Sequence, residues 1–271
     1  MNSINPLILL FLFLFMTIWH QFISPILSLL IYSAFGAPWW LDRIIIFVLP
    51  WAFLMEVFAK LLMLSALKKG NGDVIPTEVS SWKKLNRQKL DRYTEELQSL
   101  GFVHLMDYTY TSSSFDGMVR LFSHPKEFCF AEIGQVGDLP MFCSISCCLE
   151  QRWHIGVTNT PKSSATSIIG FVFFRHPRNL RKQLEIQSAE VLMKAFLAFC
   201  QQIQTDLNLE VIQQTTPEFY FEQERQFELQ RRDSVARKSL TWTLLEVLYF
   251  SFNPPLEWLG EYAKIKRQRA K

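Results

Sequence analysis

The chain has 271 residues, of which 49% are hydrophobic and 20% charged, with a formal net charge of +3. That composition excludes a disordered polyampholyte, a collagen-like chain and a disulfide-dense secreted module. A charge of +3 is too small to imply nucleic acid as a partner, and none is expected.

The apolar residues are concentrated at the start. Leu7 to Tyr32 are 26 residues without a formal charge, and Ile44 to Ala66 are 23 more, interrupted by Pro50, Glu56 and Lys60. A helix needs about 20 such residues to cross a hydrocarbon layer. The intervening stretch holds Gly36, Pro38, Trp39 and Trp40, a turn with interfacial aromatics. The expectation is a two-helix transmembrane hairpin over 1–67, with helices at about 7–32 and 44–66. Lys68, Lys69, Lys83, Lys84, Arg87 and Lys89 follow the second run, and the positive-inside rule then puts the N-terminus and the C-terminal domain in the cytoplasm. This is the expectation for an integral, multi-pass membrane protein. His20, Glu56 and Lys60 fall inside the runs as intramembrane polar groups, read either as a clamp between helices or as an ion relay. Glu56 and Lys60 have the favourable i,i+4 order.

A linker at 68–80 contains Gly70, Asn71 and Gly72. The domain expected at 81–238 opens with a helix capped by Ser80 or Ser81 and stopped at Gly101. The period then changes to two. Phe102–Tyr110, Met118–Ser123, Glu127–Ile133, Met141–Leu149, Trp153–Thr158 and Ser167–Phe174 read as strands. The short gaps between them predict an antiparallel meander of about six strands. A basic loop with Arg175, Arg178, Arg181 and Lys182 precedes a helix capped by Ser188 and running to about Leu207. Leu209–Gln213 reads as a short strand, and Glu218 to Lys238 as a charged helix. The fold class expected is α+β, with helices packed on one face of the sheet.

Residues 239–271 form a separate piece. Leu240 to Phe252 is apolar almost all round with Glu246 as its single charge, and it is too short to span a bilayer. Trp258, Tyr262, Lys264, Lys266, Arg267 and Arg269 follow. With Trp39 and Trp40 these are the expected membrane-surface contacts, unless the apolar helix docks in a groove of its own domain or a partner.

No phosphate-binding loop, H-E-x-x-H or G-x-S-x-G motif occurs. Cys143 and Cys147 are four residues apart in an expected strand, about 13 Å by strand rise, too far to share a zinc. No metal and no cofactor is expected. A hairpin joining Met141–Leu149 to Trp153–Thr158 through Glu150 to Arg152 sets Cys148 opposite His154, a low-ranking candidate for nucleophile and base. His104 and Asp107 should lie on opposite strand faces. The leading functional reading is a membrane-anchored binding or interaction protein, a structural or accessory part of a membrane assembly. Its expected partners are the lipid bilayer and another membrane protein or a second copy of itself. The other readings are a membrane-tethered enzyme using Cys148 and His154, with enzyme the less expected, and a small subunit of an oligomeric transporter or channel.

Overall fold

The structure is a computed structural model that describes residues 74–110, 117–159, 172, 175–185, 188–253 and 256–269 and, nearer the N-terminus, 19, 21, 25, 26, 29, 50, 51, 53, 54, 56–58, 60 and 61. Two compact units divide the chain: 1–65 with 239–241, and 66–238 with 242–271.

The second unit is built on one eight-stranded sheet whose spatial order follows the chain. The strands are β1 (Val74–Pro76), β2 (Val103–Tyr110), β3 (Gly117–His124), β4 (Cys129–Val136), β5 (Phe142–Leu149), β6 (Trp153–Thr158), β7 (Asn179–Gln183) and β8 (Glu257–Trp258). Neighbours pair antiparallel except β6 and β7, which run parallel with His154 opposite Asn179. The sheet is therefore mixed, not the six-stranded antiparallel meander expected. The basic stretch 175–182 hides β7, because its charges mask the period-two signal, of which only Leu180 is fully buried. The connection from Thr158 to Asn179 is long enough to return the chain to the same end of the sheet, as a parallel pair requires. Of the strand expected at Ser167–Phe174 only Val172 is described, and it is helical and buried.

Helix α1 (Arg87–Ser99) starts later than expected. Val79–Ser81 form a single 3-10 turn, and Asn86 is the cap, its side chain accepting from the Lys89 amide at 3.1 Å. The other end follows the sequence signal. Gly101 has φ +94°, the Phe102 amide donates to the Leu97 carbonyl at 3.1 Å, and the Gly101 amide donates to Gln98 at 3.0 Å. Helix α2 (Ala189–Leu207) is capped by Ser188 and ended by Asn208 in the left-handed region. Leu90, Tyr93 and Leu97 of α1 and Leu192, Phe196, Phe199 and Ile203 of α2 are buried against one sheet face. Across from them lie Phe122, Ile133, Cys143, Ile145, Cys147, Leu149, Trp153, Ile155 and Leu180.

The opposite face is also covered. Helix α3 (Pro217–Arg237) lays Tyr220 with Phe219 and Phe221 on Tyr108, Val119, Leu121 and Phe130. Helices thus flank both faces, where one was expected. The strongly polar sequence of α3 concealed this, because only a few of its side chains reach the sheet. Helix α4 (Leu240–Phe252), then β8, then α5 (Tyr262–Arg269) complete the chain.

Most of the runs 7–32 and 44–66 lies outside the described residues. Among the described residues no helix is long and apolar enough to cross a membrane. That overturns the transmembrane hairpin, and the integral, multi-pass membrane placement with both ends cytoplasmic falls with it. The physical reason is that an uncharged run reports hydrophobicity alone, and hydrophobicity does not by itself set the length of helix that forms.

Candidate functional site

Cys148 and His154 are register partners across β5 and β6, beneath α3. Alternation carries them, with Ser144 and Ser146, to the face opposite Ile145, Cys147 and Leu149. The His154 ring packs edge-on against Phe227 of α3 at 4.7 Å, and its Nδ1 lies 3.1 Å from Asn179 Oδ1. The space beside the pair is a cavity of about 10 Å³, lined by Phe130, Ser146, Cys148, His154, Tyr220, Glu224 and Phe227. That is the size of one water molecule, not of a substrate. Cys148 is 8% exposed, and burial, with the Glu224 carboxylate adding, pushes its thiol up to about 12. At neutral pH it is a thiol, and the geometry gives it no role as a nucleophile.

The same face holds a cluster that the sequence did not announce. The hydroxyls of Tyr108 and Tyr220 both donate to Glu132 Oε1, at 2.7 and 2.5 Å, and Ser144 donates to Oε2 at 3.3 Å. Burial raises the Tyr220 phenol well above its ordinary value, so it stays a donor. Three donors on one half-buried carboxylate tie α3 to β2, β4 and β5. A lone Glu in the apolar strand Cys129–Val136 was the only sequence signal for it.

His104 and Asp107 also meet, against expectation, with His104 Nε2 3.0 Å from Asp107 Oδ1. A register shift between His104 and Met106 inserts one residue into β2 and brings the two side chains to one side. Arg120 completes the group as a fork, donating from Nε and Nη2 to the two Asp107 oxygens at 2.8 Å each and from Nη1 to Thr94 Oγ1 at 3.1 Å.

Arg175 and Arg178 of the basic stretch are engaged inside the fold. Arg175 donates to Glu246 Oε2 at 2.7 Å and lies over the rings of Trp258 and Phe250, at 4.6 and 5.4 Å. Arg178 donates to Glu261 at 3.1 Å and to the Gln151 carbonyl at 3.0 Å. Trp258 Nε1 donates to the His176 carbonyl at 3.0 Å, and Tyr262 is buried with its hydroxyl on Asp206. Neither of these two aromatics is a free surface anchor. Lys264, Lys266, Arg267 and Arg269 are exposed on α5. Trp39, Trp40 and His20 lie outside the described residues. Within the first unit Lys60 and Glu56 are paired at 3.3 Å. Among the described residues no group of three His, Cys, Asp or Glu could hold a metal ion.

The Arg175 clamp fixes how α4 is turned. Glu246, its one charge, points to Arg175, and Thr243 is 2% exposed. The other side is open: Trp242 is 67% exposed, Leu245 53%, Leu248 57%, Tyr249 62% and Phe252 78%. At about 100° per residue these five positions fall within roughly a third of the helix circumference. They form one apolar ridge without a charge. A second concave feature, a groove of about 470 Å³, runs along Trp82, Lys83, Lys84, Leu85, Met118 and Gln135. There Lys84 pairs with Asp138 at 3.2 Å, and the Gln135 amide is occupied by the Lys84 and Gly137 carbonyls and the Asn86 amide.

No family model matches the chain, and no curated protein and no solved structure was found to match it.

Proposed function

We propose that this chain is an interaction protein that self-associates through the α4 ridge. The observation that carries the reading is the orientation of α4: its only carboxylate is turned inward to Arg175 while five large apolar side chains face outward. An ordinary monomer's largest apolar patch is about 300–600 Å². Five side chains of this size, at these exposures, reach the upper part of that range. They approach the ~800 Å² per partner of a standard interface. The ridge has no charge at its centre, so a second copy laid against it across a two-fold axis brings no like charges together. The cationic residues of α5 follow α4 in the chain and are exposed.

The test is site-specific photo-crosslinking in the full chain, with a benzophenone side chain in place of Tyr249. The expected product has twice the 31.8 kDa mass of one chain. It disappears when Leu245→Asp and Phe252→Asp are introduced together. Crosslinking to lipid, or to a protein other than this chain, overturns the self-association reading, as does recovery of the uncrosslinked chain alone.

A further inference from the structure

All five cysteines are free and buried, yet two of them touch. Cys147 on β5 and Cys200 on α2 place their sulfurs 3.5 Å apart, across the junction of the sheet and the helix that covers it. Cys147 is 1% exposed and Cys200 5%, and Cys200 also reaches Gln204 Oε1 at 3.6 Å. A disulfide has its sulfurs about 2.0 Å apart, so closing the gap takes about 1.5 Å of travel shared between two side chains. The two sulfurs differ in character. The hydrogen bond from Cys147 favours the Cys200 thiolate and lowers the pKa of that thiol, while the same bond and burial hold Cys147 as a thiol. Cys129 and Cys143, in contrast, are both pushed up by burial.

We propose that Cys147 and Cys200 are a redox-sensitive pair, closed by a hydroperoxide into a disulfide that staples α2 to β5. In the first step Cys200 Sγ attacks the terminal peroxide oxygen. The O–O bond breaks, the alcohol (or water) leaves with a proton, and Cys200 becomes a sulfenic acid. In the second step Cys147 Sγ attacks Cys200 Sγ, the S–S bond forms, the S–O bond breaks, and hydroxide leaves as water with the Cys147 proton. Two thiols are oxidised and one hydroperoxide is reduced. Cys148, whose side chain lies on the other sheet face, takes no part.

The test uses the full chain treated with hydrogen peroxide, then denatured, alkylated and mapped by mass spectrometry. The expected result is three alkylated cysteines and one cross-linked peptide joining 147 to 200, reversed by dithiothreitol. The oxidised protein melts roughly 5–10 °C higher, because the bridge closes a long loop. Cys129→Ser and Cys148→Ser still form the bridge, while Cys147→Ser and Cys200→Ser do not. Where Cys200→Ser fails to fold, the wild-type peptide map decides. Five alkylated cysteines after peroxide, a bridge that includes Cys129 or Cys148, or Cys200 recovered as a sulfinic acid each overturn the proposal.

Discussion

Replacing Arg120 with leucine tests how β2 is held. The Arg120 and Asp107 side chains are 14% and 12% exposed, so they form a mostly buried pair. Removing one partner of a buried pair costs about 3–5 kcal/mol, because the other charge is left without compensation. Asp107 keeps its contact with His104 and some access to water, which lowers the expected cost of Arg120→Leu to about 2–4 kcal/mol at pH 7. The pH dependence follows from the carboxyl. Burial pushes Asp107 up, but the hydrogen bonds and charges of Arg120 and His104 together outweigh it, and the net value lies below the ordinary 3.8. A depressed folded-state value gives stability that is present above the unfolded value and lost as pH falls through the folded one. The penalty of Arg120→Leu is therefore fully developed at neutral pH and shrinks as pH falls through the depressed folded-state value of Asp107. Urea unfolding followed by circular dichroism reads this as a midpoint lowered by about 1–2 M at pH 7. A double-mutant cycle with Asp107→Asn should show coupling of about 2 kcal/mol. A penalty under roughly 1 kcal/mol at pH 7, or one that does not shrink as pH falls through the carboxylate range, would refute the account.

Three further outcomes are expected. With its thiol near 12, Cys148 is ionised in about one molecule in 10⁵ at pH 7, so iodoacetamide leaves it unlabelled in the native chain and labels it after denaturation; rapid native labelling contradicts the buried placement. Gly101→Ala forces a side chain into φ +94° with a Cβ 3.1 Å from the His124 ring, and should cost about 1–3 kcal/mol in thermal or urea unfolding. Arg175→Ala removes the Glu246 contact and two ring contacts, and hydrogen exchange of the α4 amides should accelerate about tenfold or more while α2 is unchanged. Equal exchange in α4 would show that the clamp does not hold the helix.

The local pattern carried a good deal of this fold. Alternation located β2 to β6, and Gly101 and Ser188 marked a helix end and a helix start where the structure has them. The apolar run Leu240 to Phe252 marked a helix with the same bounds. Matching the apolar faces of two strands across a three-residue turn gave the Cys148–His154 register, because a slip of one residue would turn every side chain to the wrong face. What alternation could not supply was a role for that pair. Only packing shows that α3 closes over it and leaves room for a single water.

The remaining features depend on residues far apart in the chain. The bulge at His104 breaks the alternation that the sequence led one to assume, and it is held by Arg120 from the neighbouring strand. β7 is charged and reads as a loop; it becomes a strand because β6 offers it a free edge and Arg175 and Arg178, just before it, are held by Glu246 and Glu261 from the C-terminal segment. Glu132 has three donors from three different elements. Period and capping are properties of neighbours along the chain, so the sequence by itself located β2 to β6 and the main helices of the second unit, and showed which side chains share a face wherever the alternation is unbroken. Strand direction at β7, the second helical layer, the thiol contact across β5 and α2, and the outward turn of the α4 ridge were decided by the tertiary structure, because each needs a partner whose distance in sequence carries no local signal.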